Sequence, residues 1–360
     1  MNQTAIIFII LFLFNGCLRD DDLKLATIEY NPEFLGDGWQ IEAASSATFN
    51  MDLLNDILNK IYSEDDFVLL HSLLIVKNGK LMVESYTRSY SDRNTPHHVW
   101  SVTKSFTSLL TGIAIDKGLI SNVNDSVFRY IPEYISYAYP ELKPLTIKEC
   151  LLMQSGINYS NDGLEEDEVL ASVPSDLTRY ILQRPMNAKP GEQAYYKNSD
   201  PQLLVKVVSN ATSTDFVVFA RENLFRPMGI TNYFWSRNKK DNTPYGCFGL
   251  WMTPRDLAKI GQLFINKGTW DNQRIISEQW LIEASSSQTT IDGFDYGYFF
   301  WVAPEKNYFW AWGAGGQFIF VIPHKDMVVV ITSDQFADNQ NTTIKQATYL
   351  VDKIIESAKD

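Results

Sequence analysis

Histidine and cysteine are scarce in this chain, with four and three residues among 360. His71, His97, His98 and His324 form no His-Glu-x-x-His pair, so the zinc-peptidase helix is excluded as a motif. Adjacent side chains such as His97 and His98 rarely converge on one ion. They read as structural or cleft-rim residues, and no metal site is expected. Gly-x-Gly-x-x-Gly and the phosphate-cradling Gly-x-x-x-x-Gly-Lys-Ser/Thr loop are both missing, and no cofactor is expected. The absence of Gly-x-Ser-x-Gly excludes the strand-to-helix nucleophile elbow. Positive charge is also short: 31 Lys and Arg stand against 43 Asp and Glu, a net charge of −12. Phosphate backbones need a concentrated basic face, so nucleic acid is not an expected partner. The acidic run Glu165 to Glu168 reads as a solvated face rather than a cation site.

What is present begins with Ala5 to Phe14, a ten-residue apolar run. It is too short to cross a hydrocarbon layer of about 30 Å as a helix, but it has the length of a secretory signal core. Phe14-Asn15-Gly16-Cys17 ends it with a small residue before a cysteine. Residues 1–17 therefore resemble a bacterial lipoprotein signal. The resemblance implies lipidation of Cys17 and an exported cell-envelope protein, periplasmic or outer-membrane anchored, whose membrane partner is its own lipid. No Lys or Arg precedes the run, which departs from the pattern; a buried N-terminal strand with an incidental Cys is the alternative. Residues 18–48 read as a polar tether and N-terminal segment. Export would leave Cys150 and Cys247 in an oxidising compartment, where they read as separate buried residues with pairing left open.

With 45% apolar residues, the chain can bury one large core or two medium ones. Helical spacing marks Asn50 to Tyr62, with Asn50 as N-cap. Phe67 to Lys77 reads as a buried strand that turns at Asn78-Gly79 into Leu81 to Tyr86. A helix over Phe106 to Ile115 follows Ser101. Further helices are expected over Ile147 to Met153, Pro201 to Ala211, Asp256 to Phe264, Ser277 to Ser285 and Thr343 to Ala358. Strands are expected over Asp295 to Val302, Gln317 to Ile322 and Met327 to Thr332. Strands at both ends and helices between predict an α/β (α+β) fold. Residues 49–118 and 245–360 would build an antiparallel sheet flanked by helices, and 119–244 an inserted all-helical region. A cleft between two such parts is a usual ligand site.

Ser101-Val102-Thr103-Lys104 is the first candidate for chemistry. A serine hydroxyl attacks poorly until a base takes its proton. Residues three apart share a helix face, so the Lys104 amine can reach the Ser101 oxygen, and partial burial would favour its neutral form. A second match, Ser236 to Lys239, lies in the polar run SRNKKDNTP and reads as a surface loop. The second candidate is Tyr196-Lys197-Asn198, approached through Pro190-Gly191. A phenol beside an ammonium can shuttle a proton to a leaving group, and Asn198 can orient the substrate or the lysine. Tyr159-Ser160-Asn161 is a rival match. The third is Trp312-Gly313-Ala314-Gly315-Gly316, leading into a strand, where glycines allow close backbone approach by a ligand.

These three motifs, in this order, resemble the serine β-lactamase-like and penicillin-binding family, whose elements include Ser-x-x-Lys, Tyr-x-Asn and Lys-Thr-Gly. The likeness covers roughly residues 65 to 340 and looks closest to the class C-like branch with esterases and 6-aminohexanoate-oligomer hydrolases. It implies a β-lactamase/transpeptidase-like fold. It also implies catalytic roles for Ser101 (acylated nucleophile), Lys104 (activator) and Tyr196 (proton shuttle). Asn198, Trp312, Gly313 and Gly315 would contact substrate, Gly316 with Ser101 would supply oxyanion N–H groups, and Tyr159 would serve as a further cleft tyrosine. Gly313-Ala314-Gly315 stands where the family often has Lys-Thr-Gly, and Lys197 fills a slot usually taken by a small residue. The expected activity is therefore hydrolysis of a small ester or amide through a Ser101 acyl-enzyme. Action on β-lactams or D-amino-acid peptides is an alternative, and a non-catalytic binding module another.

Overall fold

The computed structural model describes residues 24–25, 27–63, 67, 69–158, 176–334, 336 and 340–359. Cys17 and the signal-like segment, Tyr159, and the acidic run at 165–168 lie outside them.

The strands, in chain order, begin with β1 (Gln40–Ile41), β2 (Leu70–Lys77), β3 (Lys80–Tyr86) and β4 (His97–His98). β5 (Tyr233–Trp235), β6 (Leu250–Met252), β7 (Thr269–Trp270), β8 (Gln273–Arg274) and β9 (Thr289–Ile291) follow. The last are β10 (Phe294–Tyr296), β11 (Trp301–Ala303), β12 (Tyr308–Gly313), β13 (Gln317–Ile322) and β14 (Met327–Ser333). Among the described residues, nine of them form one sheet in the order β1-β3-β2-β14-β13-β12-β11-β10-β9. Every pairing is antiparallel except β1 with β3. The centre of the sheet is buried on both faces, which is why Leu73 to Val76 of β2, Phe318 to Ile322 of β13 and Met327 to Ile331 of β14 read as apolar runs rather than alternating ones.

The helices are α1 (Met51–Ser63), α2 (Val102–Asp116), α3 (Ile147–Leu151), α4 (Leu177–Leu182) and α5 (Ser199–Thr212). They continue with α6 (Phe216–Ala220), α7 (Pro254–Ile265), α8 (Glu278–Ala284) and α9 (Gln340–Ser357). Helix α7 lies against Val328 and Ile319 so closely that any side chain at Gly261 would collide with them. Thr343, Ala347 and Leu350 of α9 meet Leu70, Phe318 and Ile331. Ile319 and Phe318 are adjacent on one strand, so α7 and α9 cover opposite faces of the sheet. Helix α2 packs on α5 and also reaches β12 and β13, joining the helical segment to the sheet.

Most expected elements are found within a few residues of their predicted bounds. Asn50 caps α1 by accepting from the N–H groups of Asp52 and Leu53, and Asn78-Gly79 turns with both residues at positive φ. The run Asp295 to Val302 is corrected: it is two antiparallel strands, β10 and β11, with Phe299 at φ 62° between them. Gly297 sits against the Ala284 and Ser286 carbonyls, an approach that ends the strand. Strand β12 is not among the expected strands, since YFWAW shows no alternation when both faces are covered. β5, inside the segment read as helical, joins β4 and β6 in a three-stranded sheet. Cys150 and Cys247 are both buried and are not joined in a disulfide.

Candidate active site

The strand that leads to Ser101 is held from both sides. Val99 donates its N–H to Leu250 O at 3.0 Å, and Thr103 Oγ1 accepts from the Leu250 N–H at 3.1 Å. His98 stacks on Trp251 at 4.7 Å, lies 4.1 Å from the Trp100 ring, and has Nε2 2.6 Å from Phe248 O. That makes His98 a structural residue with Nε2 as donor. Trp100 then takes φ 47°, a conformation that costs an aromatic residue about 1–3 kcal/mol and is kept only where the surroundings demand it. Here the demands are His98 on one side and Phe336, 5.5 Å away, on the other.

Ser101 occupies the N-cap of α2, yet its side chain makes no capping bond. Serine at that position ordinarily accepts from the helix N–H groups. Instead Ser101 Oγ accepts from Lys104 Nζ at 2.8 Å. Lys104 is 1% exposed, and its amine also donates to Cys247 O at 2.9 Å. Its third neighbour is the Tyr196 ring, 4.8 Å to the centroid. The three predicted catalytic residues therefore share one place. The rival Ser236 to Lys239 lies in a loop with Lys239 exposed.

Tyr196 is presented by a loop tied to the end of α3 by two backbone bonds, Gly191 N–H to Gln154 O and Tyr195 N–H to Met153 O. Its ring stacks on Trp301 at 5.5 Å and meets the edge of Tyr296 at 6.5 Å. Burial first, then Tyr196 and Asp200, push the Tyr296 phenol well above its usual value. Lys197, the departure from a small residue, is 2% exposed and pairs with Asp200 at 3.7 Å. Asp200 also accepts from Ser155 N–H, Ser155 Oγ and Ser199 Oγ. Asn198 is buried at the N-cap of α5, where its amide makes no capping bond.

Any side chain at Gly313 would run into Val99 O, two residues before Ser101. Glycine at the end of β12 is thus what lets the sheet edge close on the nucleophile segment. Trp312 packs between Trp301, 5.7 Å away, and Phe318, 6.0 Å away, extending the aromatic wall from Tyr196. Gly315 and Gly316 have φ of 73° and 89° in the following turn. Gly315 abuts the Phe336 ring, and Gly316 abuts Ser333 and Thr343. The sequence reading missed Cys247 O, Tyr296 and Trp301. A legible signal for the first was Gly246 and Gly249 flanking Cys247, both at close approaches that exclude a side chain.

The family model described as Beta-lactamase matches residues 71–350, and the chain belongs to that family. Protein flp of Staphylococcus aureus (strain COL) is 28% identical over 207 residues, 51% of this chain and 41% of that protein. The chain thus spans about two-fifths of the length of that curated relative. The 6-aminohexanoate-dimer hydrolase of Paenarthrobacter ureafaciens is 22% identical over 299 residues, covering 72% of this chain and 71% of that one. A family VIII carboxylesterase structure superposes with a TM-score of 0.68 at 18% identity, over 90% of this chain and 100% of its own. Penicillin-binding-protein homologues and a class C beta-lactamase share the same fold.

Proposed function

We propose that this member of the beta-lactamase family is a serine hydrolase that cleaves an ester or neutral amide through an acyl-enzyme on Ser101. The observation that carries the reading is the 2.8 Å contact of Lys104 Nζ with Ser101 Oγ, made by a buried amine in place of a helix cap. Lys104 in its neutral form takes the hydroxyl proton as Ser101 Oγ bonds to the carbonyl carbon. Backbone N–H groups of Ser101 and of the Gly313–Gly316 turn stabilise the oxyanion. Collapse breaks the ester or amide bond; Tyr196 gives its phenolic proton to the leaving oxygen or nitrogen and takes the proton held by Lys104 in its place, which returns both groups to their starting forms. Water then repeats the sequence on the acyl carbonyl, releasing the acid and restoring Ser101.

The aromatic wall of Tyr196, Trp301 and Trp312, with Gly313-Ala314-Gly315 in the Lys-Thr-Gly position, offers no side-chain cation or hydroxyl from that motif to an anionic acyl donor. That supports an ester or neutral amide over β-lactams and D-amino-acid peptides. A carboxylesterase and a 6-aminohexanoate-dimer hydrolase among the similar proteins fit this preference. The sequence of residues 5–17 supports export and lipid anchoring at Cys17. Labelling with a palmitate analogue should mark the wild-type chain and not Cys17→Ser.

Burst-phase hydrolysis of a p-nitrophenyl ester by the detergent-solubilised chain tests the main reading. The burst should vanish in Ser101→Ala and Lys104→Met, with circular dichroism unchanged. Turnover that persists in either variant overturns it. Absence of turnover and of any fluorophosphonate adduct in the wild type would favour a binding module, and faster acylation by a β-lactam would favour the cell-wall reading.

A further inference from the structure

His97 faces away from the stack that holds His98. His97, His71 on β2 and Asp92 in the turn Tyr90–Arg93 each offer a ligand atom, and these atoms all lie within 4.8 Å of one another. His97 Nε2, His71 Nδ1 and Asp92 Oδ2 are each buried with no hydrogen-bond partner among the described residues. The orphaning is costly, because a buried polar group without a partner has lost its water and gained nothing in exchange. The remaining nitrogen of His71 is occupied: Nε2 lies 3.1 Å from Asp334 Oδ2. The His71 ring is thus oriented from outside the cluster, and the two rings meet edge to face at 5.2 Å.

We propose that His71 Nδ1, His97 Nε2 and Asp92 Oδ2 bind a divalent transition-metal ion, best matched by Zn²⁺, with Asp334 as the carboxylate that orients His71 from behind. Two imidazoles and one carboxylate are a donor set that zinc accepts, and a carboxylate on the far nitrogen of a ligating histidine is the usual support. Bonds of about 2.0–2.2 Å to one ion would draw the three donor atoms to roughly 3.4 Å apart, a small contraction from the present spacing. Arg88 Nη1, 3.3 Å from His71 Nε2, is the one opposing charge among these contacts, against the carboxylates of Asp92 and Asp334. The competing occupant is a proton. Burial alone would lower the His71 pKa, but Asp334 and Asp92 outweigh it and raise it to about 9. A proton on Nδ1, however, would face Asp92 across 3.6 Å, too long for a hydrogen bond, and would leave His97 Nε2 unsatisfied. An ion satisfies all three atoms at once. Its structural consequence would be to tie β2 of the large sheet to β4, the strand that runs into Trp100 and Ser101.

The test uses the full untagged chain, stripped with chelator and then exposed to ZnCl₂ or CoCl₂. One Zn²⁺ per chain should survive gel filtration, Co²⁺ should give visible ligand-field absorption, and Zn²⁺ should raise the melting temperature. Binding should weaken at least tenfold in His97→Gln and Asp92→Asn and by about 10–100-fold in Asp334→Asn. His324→Gln, far along the chain, should bind as wild type. The readout is metal content and needs no activity, so it stands or falls apart from the acyl-enzyme reading. No stoichiometric metal in the wild type would overturn the proposal in favour of a protonated His71 between two carboxylates. Undiminished binding in folded His97→Gln and Asp92→Asn proteins would overturn it equally.

Discussion

The Lys104 amine sits 4.8 Å from the centre of the Tyr196 ring, so these two residues, 92 positions apart, meet amine over ring beside Ser101. The ring and the hydroxyl of Tyr196 do different things, and they are separable. Tyr196→Phe keeps the stack on Trp301 and the contact with Lys104 but removes the phenol. Its kcat for an ester should fall by about 10²–10⁴ with no change in melting temperature, the size expected for losing a proton-transfer group. A steady-state comparison with Tyr196→Ala, which loses the ring as well, checks this; equal kcat in Tyr196→Phe and wild type would remove the phenol from the mechanism.

Lys197 is predicted to act through stability. Lys197→Met leaves Asp200 buried with only its serine and backbone donors, which should cost about 3 kcal/mol by urea denaturation. Lys197→Met/Asp200→Asn should recover part of that loss, because the uncompensated charge goes too. A single variant as stable as wild type would show that the pair contributes nothing.

At Gly313 the obstacle is steric. Gly313→Ala places a methyl against Val99 O, and neither backbone has room to yield without moving Ser101. The acylation rate should drop at least tenfold, beyond any loss of folded protein. Gly293→Ala, at a turn with φ 85° where the added methyl meets nothing, carries backbone strain without a collision and so controls for destabilisation away from Ser101. Similar acylation rates in the two variants would contradict the assignment.

Asp215 gives a pH-dependent test. Arg237 holds its carboxylate below the usual range, helped by the Val217 and Val218 N–H groups that it caps. A folded-state pKa below the unfolded one means stability that is present above the unfolded pKa and lost as pH falls through the folded one. Asp215→Asn keeps the cap acceptor but not the charge. It should cost about 0.5–1 kcal/mol at neutral pH, and the gap to wild type should close below about pH 4. A gap that persists in acid would assign the cost to packing.

Local chemistry made Ser101 and Lys104 legible as a pair, because i, i+3 residues share a helix face. Ser236 and Lys239 have the same spacing, however, and it was the apolar helix after Ser101 that set the first pair apart. Local legibility extends to the capped helix at Asn50, the Asn78-Gly79 turn and the apolar strands β13 and β14, whose signals are contained within a few residues. Tyr196, Asn198 and the glycine turn were legible as a family resemblance in sequence order; their approach to Ser101 was not a local property. What only the tertiary structure decided is which distant groups close on one another. Cys247 O on Lys104, Val99 O on Gly313, and the meeting of His71, Asp92 and His97 each join segments that no periodicity relates. Periodicity reports how a segment divides between core and solvent. It carries no information about which buried neighbour the far side of the sheet will supply, and that choice was made by packing.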